Sequence, residues 1–90
     1  EALAEARGPL DQARAAAQAH PSELVAARRY LSDLRPFADV EAAVGRKAEA
    51  CADYRRTQAG WTAFGARFTV SPLIRDTELK LLADKIKACG

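Results

Sequence analysis

A small all-α bundle of four mostly antiparallel helices is the fold class this sequence predicts, and three observations predict it. Apolar residues recur every three or four positions through most of the chain, which is the period of one helix face. Prolines at positions 9, 21, 36 and 72 punctuate that pattern and divide it into four helical segments. Alanine fills 21 of the 90 positions while aromatic residues make up only 7%. Such a composition lets helices approach closely and gives each contact little area.

The first helix is expected to start near Pro9 and end at Ala19, after a loose lead. Leu3, Ala6, Leu10, Ala13 and Ala17 keep a 3-4 spacing over the whole stretch. Proline, however, is tolerated in a first turn and costs ~3 kcal/mol in a helix interior, so a start at Pro9 is simpler than a kink there. His20-Pro21-Ser22-Glu23 reads as the next start, with proline in the first turn and an acid that complements the exposed N–H groups. A second helix follows from Pro21 to Leu34, with Leu24, Ala27, Leu31 and Leu34 inside and Arg28, Arg29 and Asp33 outside. Positions 3, 6, 10, 13, 17, 20, 24, 27, 31 and 34 form one unbroken heptad series in which only His20 is polar. The two prolines favour a hairpin of separate helices over one long coiled-coil helix.

Leu34-Arg35-Pro36 is expected to break the chain, because the residue before a proline is pushed out of the α region. The longest element then runs from Phe37 to near Gly60. Its seam is Phe37, Val40, Val44, Cys51, Tyr54 and Trp61, Asp39 and Glu41 favour its amino end, and Gly45 sits inside it at a cost of ~1 kcal/mol. From Ala59 to Ser71 both a helix and a strand template fit. A lone strand would have no ladder partner, so the expectation is an aromatic connector that tucks Trp61, Phe64 and Phe68 toward the core. Ser71-Pro72 opens the last helix with a capping residue and a first-position proline. Leu79, Leu82, Ile86 and Cys89 form its seam, Leu73, Ile74 and Leu81 widen its apolar side, and Gly90 is placed to cap it.

Composition narrows the function classes. Ninety residues make one helical domain, expected to be a module of a larger chain because the sequence starts at Glu1 without a methionine. No run approaches the ~18 apolar residues of a membrane span, and no membrane association is expected. The formal charge is +2, with the basic excess in the middle of the chain, well short of the stripe of a dedicated nucleic-acid binder. Two cysteines, Cys51 and Cys89, leave one available disulfide. Both continue helical seams, so a pair of buried thiols is the preferred reading and a disulfide pinning the last helix is the alternative. No second histidine or cysteine stands at zinc-ligand spacing, and neither metal nor cofactor is expected.

Glycine-rich phosphate loops, H-E-x-x-H, paired C-x-x-C, G-x-S-x-G and the Glu-x-x-His of di-iron bundles are all missing from the sequence. An enzyme is therefore not expected. The one charged constellation is Arg46, Lys47, Arg55 and Arg56, a broken basic strip that offers phosphate contacts. Glu49 and Asp53 lie between these bases at pairing distance along a helix. Leu34-Arg35-Pro36-Phe37, followed by a long charged helix and then by Arg75-Asp76-Thr77-Glu78-Leu79-Lys80-Leu81-Leu82-Ala83, resembles the N-terminal helical domain of peptide chain release factors. The resemblance implies a leucine-x-proline turn before a long helix. Arg35 stands where that family has an acid and Thr77 where it has a proline, and the segments that carry its peptidyl-transfer and codon-reading roles have no counterpart here.

The functional expectation is a non-enzymatic module for docking on a protein partner or for self-association. Its contacts would come from Trp61, Phe64 and Phe68, or from the Leu/Ile side of the last helix. The alternatives are RNA or ribosome association through the basic strip and a regulatory bundle that encloses a small apolar ligand near Trp61.

Overall fold

In a computed structural model, described over residues 2–89, the chain forms α1 (Ala2–Ala19), α2 (Leu24–Ala43), α3 (Lys47–Arg67) and α4 (Leu79–Ala88), with a π-helical segment, Ile74–Glu78, leading into α4. Side-chain pairings fix the directions. Arg7 lies over Phe37 and Arg14 over Tyr30, so α1 and α2 are antiparallel. Tyr54 bonds to Asp39 while Gly60 meets Leu31, which makes α3 antiparallel to α2. Cys51 at the start of α3 joins Cys89 at the end of α4. The expected four-helix antiparallel bundle is therefore present. It is 18 Å through its shortest dimension, about two helix diameters.

The helices share two apolar clusters. Leu31, Ala38, Ala50, Tyr54, Trp61, Phe64 and Leu82 form the larger one, between α2, α3 and α4. Leu3, Leu10, Leu34 and Phe37 form the smaller, between α1 and α2. The stripe expected for α1 is the one that packs: Leu3, Leu10 and Ala13 are buried and Ala6 and Ala17 half-buried.

Five boundaries differ from the sequence reading, and the first is the start of α2 at Leu24 rather than Pro21, because Pro21 and Ser22 form a turn closed by the Glu23 N–H bonding to the His20 carbonyl at 3.0 Å. α1 starts at Ala2 and carries Pro9 inside it. Likewise α2 continues through Leu34-Arg35-Pro36, where a break or turn was expected. Both prolines are exposed and border one open groove between α1 and α2. Leu34, Phe37 and Ala38, at 0%, 6% and 0% exposure, hold the helix in register around Pro36. Burying a Leu and a Phe contributes ~1.5–3 kcal/mol each, enough to offset the ~3 kcal/mol of an interior proline.

The long helix expected from Phe37 to Gly60 is instead two helices with a turn at Gly45. Gly45 adopts φ +87°, while its N–H bonds to the Ala42 carbonyl at 3.1 Å and that of Arg46 to the Glu41 carbonyl at 2.8 Å. These bonds make a Schellman motif, in which glycine supplies the left-handed residue that ends a helix. Phe37 and Val40 thus belong to the end of α2, and Val44 is 46% exposed in the turn. At the far end α3 passes Gly60 and runs to Arg67. Gly60 is a point of close approach: a Cβ there would lie 2.3 Å from the Leu31 Cδ2. The aromatic passage before the last helix is consequently mostly helical, with only Phe68 outside α3.

The start of the last helix falls where expected. Ser71 Oγ accepts a hydrogen bond from the Ile74 N–H at 3.2 Å, and Pro72 and Leu73 are already helical. The expected cap at Gly90 lies outside the described residues.

Candidate functional site

α4 is held to the bundle by a polar cluster that draws on three helices. The Arg35 Nε of α2 donates to Glu78 Oε1 at 2.8 Å, and the same guanidinium bonds to Asp39. Asp39 also accepts from the Tyr54 hydroxyl of α3 and lies 3.4 Å from the Lys85 Nζ of α4. Lys85 stands 5.8 Å over the Tyr54 ring as well. Burial, followed by the bond to Asp39, pushes the Tyr54 phenol well above its ordinary range, so it remains a donor.

Next to this cluster Cys51 and Cys89 form a disulfide, with Cα atoms 6.0 Å apart. The preferred reading of two buried thiols is thereby corrected. Antiparallel packing brings the first turns of α3 beside the end of α4, and the Cα separation falls within disulfide range. Both cysteines are only half-buried. They lie in the wall of an open groove of about 510 Å³ that is also bordered by Lys47, Tyr54 and Lys85.

A second groove, of about 350 Å³, separates α1 from α3 and is bordered by Arg7, Arg14, Glu41, Glu49, Asp53 and Arg56. Glu41 and Asp53 are 4% and 7% exposed. Burial, together with the neighbouring Asp53 and Glu49 and against the opposing pull of Arg7, raises the Glu41 carboxyl from its ordinary 4.5 to about 7. The Glu41 Oε1 has no hydrogen-bond partner among the described residues. Sequence reading placed Glu41 only as an acid favouring a helix start. The missed signal is its register: Leu34, Ala38 and Glu41 lie on one buried stripe.

The candidate residues named from the sequence are distributed as follows. Trp61 and Phe64 are 2% and 6% exposed, stack edge-to-face with centroids 5.1 Å apart, and belong to the core. As partner contacts they are therefore corrected, because both rings are committed to the core and expose almost no area. Phe68 is half-buried, its ring 4.9 Å from that of Phe64. Arg46, Lys47, Arg55 and Arg56 are all exposed, but they do not share one face. Arg46 precedes α3, Lys47 borders the disulfide groove, and Arg56 pairs with Asp53 beside the α1–α3 groove.

One exposed feature joins Leu73, on the Leu/Ile side offered as a contact, to two residues the sequence did not single out as contacts, and Leu24, expected inside, is among them. Leu24, Val25 and Leu73 are 37%, 66% and 71% exposed, and the up-and-down order puts all three at the end of the bundle where α2 and the last helix begin. Arg67, at the end of α3, donates to the Pro21 carbonyl at 3.0 Å at this same end. Among the described residues no helix is long and apolar enough to cross a membrane, and no group of three or more His, Cys, Asp or Glu side chains is placed to hold a metal ion. No family model, no curated protein and no solved structure matches the chain.

Proposed function

We propose that this chain is a non-enzymatic helical interaction module that docks through the end of the bundle carrying Leu24, Val25 and Leu73. The supporting observation is the exposure of three large aliphatic side chains at one end of a chain whose other Leu and Phe side chains mostly pack inside. Large aliphatic side chains left exposed toward one end offer a surface for a contact. Each of these side chains would contribute up to ~1.5–3 kcal/mol if fully buried in a contact.

The partner taken first is a second copy of the chain, since one apolar end meeting its like forms a closed, two-fold contact. Sedimentation over a range of concentrations tests it. The expected outcome is a concentration-dependent dimer that Val25→Glu and Leu73→Glu abolish while helicity is retained. A monomer at every concentration would sink self-association. RNA association has thinner support, because its four bases are spread over different sides and Arg56 is already paired with Asp53. Salt-sensitive RNA retention that is lost in Arg55→Ala/Arg56→Ala would instead favour that reading.

A further inference from the structure

We propose that the groove beside Cys51–Cys89 is a thiol–disulfide exchange site for a small anionic thiol, held by Lys47 and Lys85, which attacks the Cys89 sulfur. The inference is independent of the docking surface at the opposite end of the bundle.

Placement is the first argument. A disulfide that serves only as a staple needs no approach path, yet both cysteines here are half-buried and wall an open groove of about 510 Å³.

Charge is the second. Lys47 comes from the start of α3 and Lys85 from α4, and both border the groove. Lys85 is shared with Asp39, 3.4 Å away, whereas Lys47 makes no ion pair among the described residues. Lys47 is therefore the less neutralised of the two cations beside the groove.

The two sulfurs also differ as leaving groups. Cys51 is one turn into α3 and four residues after Lys47, so cation and sulfur lie on one helix face. A thiolate there is favoured by the lysine. Cys89 caps the carboxyl end of α4, where the dipole disfavours negative charge, and the lysine one turn before it, Lys85, is already shared with Asp39. Exchange is faster when the better-stabilised thiolate leaves.

In the step itself the incoming thiolate donates an electron pair to Cys89 Sγ and forms a new S–S bond. The Cys51–Cys89 bond breaks, and its pair stays on Cys51 Sγ, which later takes a proton from solvent. A second equivalent of the same thiol attacks the mixed disulfide and leaves as the small symmetrical disulfide. Two thiols have then been oxidised and one protein disulfide reduced.

The test treats the oxidised chain with 2-mercaptoethanesulfonate, 2-mercaptoethanol or cysteamine, which are anionic, neutral and cationic thiols of similar size. Mass spectrometry gives the rate of adduct formation and peptide mapping gives its site, with rates expressed per thiolate. The anionic thiol is expected to exceed the cationic one about tenfold, since two partly exposed lysines each contribute a modest attraction. The advantage should shrink in 1 M salt and in Lys47→Gln, but persist in Arg28→Gln, which removes an equal charge elsewhere. The adduct should map to Cys89. Equal rates for the three thiols, an advantage lost equally in Arg28→Gln, or an adduct on Cys51 would each overturn the proposal.

Discussion

The two outer helices are attached to the central α2–α3 pair by different physics. α1 is held by side-chain packing: Leu3, Leu10, Leu34 and Phe37 form its small cluster, with Arg7 and Arg14 laid over aromatic rings. α4 buries only Leu82 fully, but it is joined to α3 by a disulfide and to α2 by the Arg35–Glu78 and Lys85–Asp39 pairs. An alanine-rich helix with a continuous stripe can hold by apolar contact and by cations over aromatic rings. A short helix with one fully buried leucine draws on covalent and ionic attachments.

Substitution in the larger cluster should have the greatest effect. Trp61→Ala is expected to cost ~3–5 kcal/mol and Leu10→Ala, in the α1 cluster, ~2–3 kcal/mol, read by urea unfolding. A larger loss at Leu10 would reverse the ranking of the two cores.

Removal of the disulfide comes next. Cys51→Ser/Cys89→Ser opens a loop with a sequence separation of 38 and should cost up to ~4 kcal/mol. Hydrogen exchange should then speed up in α4 and remain unchanged in α1. Equal acceleration in both helices would show that the two attachments are not independent.

A smaller effect separates the flanks by pH. The folded Glu41 carboxyl titrates near 7 against an ordinary 4.5. The folded state therefore holds this proton more tightly, and its contribution is complete below about pH 4.5 and lost as pH rises toward 7. The loss should reach at most ~3 kcal/mol. Glu41→Gln should remove that slope and stabilise the chain at pH 8, and an unchanged slope would assign the pH dependence to other groups.

The smallest effect tests the turn between the central helices. Gly45→Ala should cost ~1 kcal/mol, because φ is positive there and an alanine side chain disfavours it. Thermal unfolding would register the change, and an unchanged midpoint would count against the Schellman turn.

Local signals were legible in the sequence where they are also the deciding ones. The stripe of α1 and the Ser71 cap depend on neighbours a few positions apart, and both occur as read. Pro9 and Pro36 were misread because proline's cost is local, while the contacts that outweigh it come from other helices. Gly45 reads as helix interior in the sequence because apolar periodicity continues across it, the end of α2 and the start of α3 both facing the core. The candidate site was harder still. The disulfide was legible as an option, since two cysteines allow one pairing, but Lys47 and Lys85 meet only after α3 and α4 have paired.

The disulfide also sets how the molecule would carry tension. Stretched between Ala2 and Cys89, the chain transmits force through the Cys51–Cys89 bond and bypasses the segment between them. α1 and α2 then extend while most of α3, four of the six aromatic residues and the last helix remain unloaded inside a covalent ring. The ring hides on the order of 130 Å of extensible chain, at roughly 3.3–3.6 Å per residue, and that length becomes available only when the bond is cut.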